Sequence, residues 1–364
     1  MSSQTIQRKD HHLDLCAREP IEADAPGALF DHVTLLHEAV PDLSESQLDL
    51  RRDFLGRRLG CPLMFTAITG GTERGRLFNL ALARQAELRG VAIGVGSQRA
   101  MLDHAELAAS FELRAVAPSV PIVGNLGLWQ ARTLGVDGVR RLIDRIEADA
   151  LAIHLNVAQE LVQPEGDRDF SEGLRTIEAL ARALGARLVV KETGCGISPA
   201  TAKRLIEAGV RTLDIAGMGG TSWIKVEALR AEPGTPAFDR TQSLGALFAN
   251  WGIPTAPAIA ALAETLDAPS RTTTLIASGG IRDGLAMAKA LALGADVVGI
   301  ALPLLKTWQA GGERALDGCV ETLLMGLRAS MVLTGAPSLD ALRRVPRVCS
   351  ETFERWVRGL TRTA

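Results

Sequence analysis

The sequence predicts an α/β fold, a TIM (β/α)8 barrel with an N-terminal extension and an insertion between strands six and seven. From Leu63 onward, apolar runs and amphipathic segments alternate with a period of roughly thirty residues, which is typical of repeated βα units. Apolar strands that alternate with helices indicate a parallel sheet buried on both faces, and eight such units favour a barrel over a doubly wound sheet. A chain of 364 residues with 47% hydrophobic content can form one barrel domain with insertions, 1–364.

The first six strands come in regular succession. Their predicted bounds are 63–68, 91–94, 121–124, 150–155, 187–190 and 212–216. Apolar residues at helical spacing predict helices at 74–88, 105–116, 136–146, 171–184 and 199–208.

Three further segments complete the predicted chain. Residues 1–60 form a polar arm and a prelude to the barrel. The segment 217–272 is too long for a plain loop and is predicted to be an irregular lid that carries Trp223 and Trp251. The apolar segment 304–332 closes the circuit after strand eight.

The last two strands contain the most informative stretch. An apolar run ends at Ser278-Gly279-Gly280, Asp283 can cap the helix that follows, and 297–301 forms the eighth strand. Glycines at the carboxyl end of a barrel strand let backbone N–H groups approach an anion, and a helix N-terminus adds positive potential. These residues, together with Arg282, therefore predict a phosphate site rather than tight turns alone.

Polar side chains follow nearly every predicted strand. Because the carboxyl ends of the strands meet at one edge of a barrel, where such enzymes keep their sites, these residues predict a catalytic or ligand site. They are Thr69, Ser97, Asn125, His154, Asn156, Lys191, Asp214, Thr221, Ser278 and Arg282.

The fourth strand is followed by a candidate metal site. His154 and Asn156 alternate along the strand and so share its interior face. Glu160 is a hard oxygen ligand suited to Mg²⁺, which takes one or two carboxylates together with substrate phosphate oxygens. A hydrogen-bonded core histidine and a solvated loop carboxylate are the structural alternative.

Two residues after the fifth strand allow a nucleophile. Lys191 could form a Schiff base, act as a fixed cation beside an anionic ring, or pair with Glu192 at the surface. Cys195 stands between two turn glycines, where packing is the more usual role.

Composition and charge exclude several classes of protein. The net charge of −2, from 40 basic and 42 acidic residues, leaves no basic stripe for nucleic acid. No run is long and apolar enough for a membrane span or a signal peptide. Five scattered cysteines without a CxxC pair indicate reduced thiols, so a cytoplasmic location is expected.

Several motifs occur together in one order. They are Arg8-Lys9-x-x-His12, Thr69-Gly-Gly71, Gly96-Ser-Gln-Arg99, Asn125-Leu-Gly127, His154-Leu-Asn-x-x-Gln-Glu160, Pro164-Glu-Gly-Asp167, Val190-Lys-Glu192, Gly219-Gly-Thr-Ser222, Trp251-Gly-Ile-Pro-Thr255 and Ser278-Gly-Gly-Ile-Arg282. With these motifs the chain resembles the type 2 isopentenyl-diphosphate isomerases, which are FMN enzymes of isoprenoid synthesis. The likeness runs from the N-terminal arm to about Leu305.

This resemblance implies a residue-level site. Catalytic roles would fall to His154, Gln159 and Lys191, and Glu160 would bind Mg²⁺. Residues implied to hold FMN are Ala67, Ile68, Thr69, Ser97, Asn125, Lys191, Thr221, Gly280, Ile281, Arg282, Ala301 and Leu302. Residues implied to hold the diphosphate substrate or to lie near it are Arg8, Lys9, His12, Ser97, Gln98, Arg99, His154, Asn156 and Gln159.

The implied reaction interconverts isopentenyl and dimethylallyl diphosphate with reduced FMN and Mg²⁺, NADPH being the expected reductant and a homotetramer or homo-octamer the expected assembly. Because alkenes are very weak bases, a reduced flavin would supply the difficult proton chemistry while the protein positions it. Thr193, Cys195 and Met218 depart from the family pattern at positions with no implied contact.

Two other functions remain open at this point. A 2-hydroxy-acid oxidase on the same barrel would use a histidine base and tyrosines at the flavin, but the chain has no tyrosine and no histidine after the sixth strand. A flavin- or phosphate-binding module without activity is the second alternative, which the complete set of polar strand ends disfavours.

Overall fold

The computed structural model describes residues 2–23, 25–266 and 272–362, with the side chains of residues 2–6 and 103 left aside. Eight strands form a closed barrel in which each pairs with its neighbours in sequence and the last pairs with the first, confirming the predicted fold. The strands are Leu63–Phe65, Ala92–Gly94, Ile122–Gly127, Ala150–Leu155, Leu188–Glu192, Thr212–Asp214, Thr274–Ser278 and Val297–Ile300.

Parallel register brings the strand ends to one edge. His154 lies opposite Lys191, and Lys191 lies opposite Asp214 on the next strand. Below this edge the barrel interior is apolar, and the hairpin Arg52–Phe54 and Arg57–Leu59 packs against it through Phe54 and Leu59. The interior is therefore a packed core that supports a polar rim.

Helices surround the barrel largely where amphipathic segments predicted them. They are Glu73–Arg89, Leu128–Arg145, Gly173–Leu184, Pro199–Glu207, Gly284–Ala292, Leu302–Leu333, Leu339–Arg343 and Glu351–Thr361. Asp283 accepts a hydrogen bond from Ala286 N at the start of its helix, as predicted. A short helix, Val157–Val162, follows the fourth strand and was not predicted.

The predicted helix 105–116 is wrong. The chain forms a helix at Arg99–Asp103 and a 3₁₀ helix at Ala105–Ser110, and then continues in turns. Arg114 favours the turns, because its guanidinium donates to the carbonyls of Ala117 and Val120 just beyond the predicted helix. A side chain thus satisfies these backbone acceptors and holds the chain in turns where a helix would otherwise continue.

The N-terminal arm is a helix, Ser2–Arg18, rather than an irregular extension. It packs against Leu302–Leu333 and Trp223–Arg230 and buries Leu13, Leu15 and Cys16. The arm therefore lies over the barrel of its own chain.

The insertion is mostly helical, so the prediction of an irregular segment is wrong. It contains Trp223–Arg230, Phe238–Phe248 and Thr255–Leu266, and its residues 267–271 lie outside the described part of the chain. The last helix is buried from Thr255 to Leu262, and Pro257 falls in its first turn, where a missing N–H costs nothing. Trp251 is 61% exposed and packs on Phe248, whereas Trp223 lies in the cavity described below.

None of the helices in residues 2–23, 25–266 and 272–362 combines the length and the apolar character that crossing a membrane requires.

Candidate active site

Two cavities open at the carboxyl edge of the barrel and form one trough. They share lining residues from the first and fifth strands and from the insertion, namely Ala67, Ile68, Lys191, Thr193 and Trp223. Nine of the ten polar residues predicted to meet at this edge line the trough, with Lys191 where the two cavities join, whereas Asp214 lies in a small cavity with Lys191 instead.

All twelve residues implied to hold FMN line the trough. Six of them, from Ala67 to Lys191, line the first cavity. The second cavity is lined by Thr221 and by the segments 278–282 and 299–302, which supply the other six.

A glycine cradle lies at the outer end of the second cavity. Gly279 and Gly280 have positive φ values of 100° and 76°, a conformation that favours glycine. A Cβ on Gly280 would come within 2.8 Å of Gly219 O, and one on Gly220 within 2.8 Å of Gly280 N. Backbone approaches backbone so closely here that only glycine fits, which suits the phosphate of FMN.

Arg282 is the cation of this cradle, and it already has a partner. Its guanidinium donates to Glu22, which also lies 3.8 Å from the Lys306 ammonium. Burial lowers the pKa of Arg282 to about 10. A phosphate bound here would share these cations with a carboxylate of the same sign.

Glu22→Gln is therefore expected to tighten FMN binding by about two- to fivefold, the size of a partly exposed charge pair. Fluorescence titration of the apoprotein with FMN measures the dissociation constant. The exposed Glu19 provides a matched control, because Glu19→Gln should leave that constant unchanged. Weaker binding by Glu22→Gln would contradict competition and show instead that Glu22 holds Arg282 in place.

The first cavity contains a cluster of cations from the arm and the second βα loop. Lys9 Nζ donates to Ser97 O at 2.9 Å and lies 5.4 Å from the centre of the Phe111 ring. Burial, with Arg8 and Arg99 nearby, lowers the pKa of Lys9 to about 7. Such a concentration of positive charge needs an anion to balance it.

Several buried polar atoms around this cavity have no hydrogen-bond partner. They are Arg8 Nε, Asn156 Oδ1 and Gln163 Nε2. Buried polar groups in folded proteins are nearly always paired, so unpaired ones at a cavity indicate a polar ligand.

His154 is half-buried and neutral in this site. Its Nδ1 lies 2.9 Å from Asn125 Oδ1. Burial, and then the charges of Lys191, Lys9 and Arg99, lower its pKa to about 3. A neutral imidazole donates one hydrogen bond, so with Nδ1–H directed at Asn125 Oδ1 the Nε2 atom is left as an acceptor.

Glu160 lies under the cavity with its carboxylate fixed. It accepts from Asn156 Nδ2 at 2.9 Å and from Asp167 N at 2.8 Å, and its side chain is buried. Of the residues that the structure describes, no three His, Cys, Asp or Glu side chains form a metal cluster. A cation held by Glu160, Asn156 Oδ1 and ligand phosphate oxygens fits this arrangement, since Mg²⁺ often binds through few protein groups.

Glu227 is a site residue that the sequence did not reveal. It is fully buried and accepts from Gln159 Nε2 at 2.9 Å and from Arg230 Nε at 2.8 Å. His12 Nε2 lies 3.3 Å from the same carboxylate, and the His12 ring packs edge-on against Trp223. Burial alone would raise the pKa of Glu227, but these partners lower it to about 2.

Other predicted residues take supporting positions. Gln98 lines neither cavity, contrary to its implied contact with substrate: it is fully buried and accepts from Asn125 N at 3.0 Å. Thr193, expected to make no contact, lines both cavities. Burial raises the pKa of the Cys195 thiol, which favours packing over nucleophilic attack.

Lys191 does not form the surface ion pair with Glu192 that was one of its predicted alternatives. Lys191 Nζ donates to the backbone O of Glu192 at 2.6 Å. The Glu192 carboxylate instead accepts from successive backbone N–H groups, including those of Thr193 at 2.6 Å and Gly194 at 2.7 Å.

Comparison with known proteins agrees with this geometry. A family model described as FMN-dependent dehydrogenase matches residues 160–347. An isopentenyl-diphosphate delta-isomerase of Chlorobium limicola is 42% identical over 94% of this chain and 96% of its own length. Another from Methanosarcina acetivorans is 44% identical over 96% of this chain and 93% of its own.

Solved structures show the same fold. A mandelate oxidase variant with benzaldehyde has a TM-score of 0.65 at 19% identity, covering 96% of this chain and 98% of its own. Another with a C4a-OH-FMN adduct has a TM-score of 0.64, covering 95% and 99%.

Proposed function

We propose that this chain, which belongs to the type 2 isopentenyl-diphosphate delta-isomerases, holds its substrate over reduced FMN with the residues of the trough. The chain is an isomerase of isoprenoid synthesis that interconverts isopentenyl diphosphate and dimethylallyl diphosphate. Its family is FMN-dependent. The roles of individual residues below are our proposals.

One observation carries the assignment of the two ends of the trough. The glycine cradle lies at one end, the buried cations and unpaired polar atoms lie at the other, and Lys191 lies between them. A flavin phosphate in the cradle and a diphosphate among the cations would place the flavin ring and the alkene together near Lys191.

When bound, reduced FMN supplies an electron-rich ring face and an acid–base nitrogen for the double-bond shift. The ammonium group of Lys191 would stabilise the negative charge of the reduced flavin ring. Asn125, Ser97 and Thr69 would provide polar contacts to the ring edge, since they line the first cavity beside Lys191.

The diphosphate would be bound by Arg8, Lys9 and Arg99, which face the first cavity from the arm and the second loop. Ser97 would add a hydrogen bond, and His12 and His154 would lie beside the diphosphate, since they line the same cavity. The arm is then part of the binding site, because it brings two of the three cations. Its packing against its own barrel supports this role.

Glu160 would hold Mg²⁺ at the diphosphate end of the trough. The unpaired Asn156 Oδ1 offers a second protein oxygen beside that carboxylate. Magnesium would neutralise the phosphate charge and fix the orientation of the substrate.

Gln159 would position the hydrocarbon end of the substrate and share in proton movement. Its amide is held by the ionised Glu227 at 2.9 Å, so its carbonyl oxygen is directed away from that carboxylate. His12 and Trp223 close this side of the cavity against water.

The lowered pKa of Lys9 predicts a pH dependence of substrate binding. Lys9 is a cation only below about pH 7, so KM should rise as pH increases through that value. Lys9→Arg keeps its charge and should flatten this rise, which KM measurements between about pH 6 and 9 would test against wild type. The exposed Lys203 gives the control variant, Lys203→Arg, whose profile should match wild type. Identical profiles for Lys9→Arg and wild type would contradict a role for the Lys9 charge.

An anaerobic assay tests the proposed function as a whole. Isopentenyl diphosphate is incubated with the protein, FMN, Mg²⁺ and NADPH, and each component is omitted in turn. We expect dimethylallyl diphosphate only when reduced flavin and metal are both present, with dithionite able to replace NADPH. Flavin reduction by a 2-hydroxy acid, with no isomer formed, would overturn the proposal in favour of an oxidase.

NADPH as reductant, a cytoplasmic location and a homotetramer or homo-octamer complete the proposal, and all three rest on likeness to the family. The proposal includes no nucleic-acid or membrane partner. A lid role for 217–272 is supported by Trp223, which lines both cavities.

A further inference from the structure

Asp214 is a buried acid directly beneath the trough. It is the last residue of the sixth strand and is 2% exposed, among interior residues that are otherwise small or apolar, such as Val189 and Ile276. An isolated carboxylate in such surroundings is costly, because desolvation opposes the charged form. Neighbouring groups must therefore stabilise the Asp214 carboxylate.

Asp214 has a cationic neighbour on one flanking strand, and its Oδ1 accepts hydrogen bonds from Ser278 Oγ and Ala216 N. Lys191 is its register partner on the fifth strand, and both line a small cavity under the trough, together with Thr66. Ser278 Oγ donates to Asp214 Oδ1 at 2.6 Å from the seventh strand. A polar layer thus crosses three adjacent strands just below the point where the two cavities join.

Asp214 is the acid that shares a face of the sheet with Lys191. Glu192 is adjacent in sequence, but successive strand residues point to opposite faces. The Glu192 carboxylate is also engaged by backbone N–H groups of the following turn. Burial raises the pKa of Asp214 and Lys191 opposes that rise, so the lysine favours the ionised carboxylate.

We propose that Asp214 is the counter-ion of Lys191 and thereby sets how much positive charge the lysine presents to the flavin ring. This inference rests on the proposal that FMN lies over Lys191. Asp214 acts through Lys191 and is a positioning residue. Its negative charge partly cancels the ammonium group, so the reduced, more negative flavin is stabilised less than it would be by an unpaired lysine.

The test is the two-electron midpoint potential of bound FMN, measured by equilibration with reference dyes. Asp214→Asn keeps the shape and removes the charge, so the ratio of reduced to oxidised FMN at a fixed potential should rise about tenfold, or about 30 mV. Ser278→Ala removes the hydrogen bond and keeps the charge, so we expect a clearly smaller shift. A potential unchanged in Asp214→Asn with FMN bound would overturn this inference and leave the proposed function intact.

A double variant distinguishes an effect of Asp214 through Lys191 from a direct effect of the Asp214 charge on the flavin. Lys191→Met alone should lower the reduced fraction, and without the lysine the buried Asp214 is expected to take up a proton. Asp214→Asn should then change the potential little in the Lys191→Met background. An equal shift in both backgrounds would overturn the positioning role, whereas wild-type protein unable to bind FMN at all would overturn the proposed function together with this inference.

Discussion

Glu160→Gln is expected to lower kcat/KM for isopentenyl diphosphate by at least about 100-fold, because an amide is a far weaker ligand for Mg²⁺ than a carboxylate. The site also constrains the new side chain. Glu160 Oε2 accepts from Asp167 N at 2.8 Å, and an amide NH2 group in that place would face another N–H group. The substitution therefore removes the charge and disturbs the loop that holds it.

The measurement is a Mg²⁺ titration of initial rates, with the FMN dissociation constant determined in parallel. We expect the Mg²⁺ requirement to move to much higher concentration while FMN binding stays within about twofold, since Glu160 is remote from the glycine cradle. Glu178→Gln, on an exposed helix, is the matched carboxylate control. An unchanged Mg²⁺ titration in Glu160→Gln would place the metal elsewhere.

Glu227→Gln is expected to reduce kcat by roughly 100- to 1000-fold, mainly by turning the Gln159 amide. The glutamine amide has one acceptor oxygen in place of two, so it cannot accept from both Gln159 Nε2 and Arg230 Nε, and one of these side chains must rotate. Arg230 and His12 also lose their shared carboxylate. Because these groups are buried, we expect a loss of stability of about 3 kcal/mol, near the lower end for breaking a buried ion pair.

The pH dependence of stability gives a second measurement for Glu227. Its pKa in the folded chain is about 2, below the ordinary value of 4.5, so its stabilising contribution is present above pH 4.5 and is lost as pH falls towards 2. Thermal melts of wild type over this range should show that loss, and Glu227→Gln should lack it. A variant with normal kcat and an equally steep acid transition would show that Glu227 neither orients Gln159 nor stabilises the fold.

Local pattern was sufficient to predict the barrel and its polar edge. Strands such as Ala150–Leu155 are apolar runs that a sequence pattern identifies. The residues that follow such strands lie at the carboxyl edge of any parallel barrel, so their place could be predicted as well. The glycine cradle was equally predictable, because Gly279, Gly280 and Asp283 are required by backbone geometry rather than by distant contacts.

Residues whose role depends on distant partners could not be predicted. Glu227 lies on an ordinary helix, and only the fold brings His12 and Gln159 to it. The N-terminal helix is mostly polar, so nothing in its own pattern indicated that Lys9 would be buried in a cavity. The same holds for Gln98, whose contact with Asn125 N depends on the pairing of neighbouring βα units.

The position of the N-terminal helix has a consequence for how the protein acquires activity during its synthesis. The helix carries Arg8 and Lys9 into the site, yet it packs against Leu302–Leu333, which the ribosome makes only after all eight strands of the barrel. Residues translated before the barrel must therefore wait for a helix translated after it. A nascent chain can form its early βα units, but the binding site closes only when Leu302–Leu333 is in place beneath the N-terminal helix.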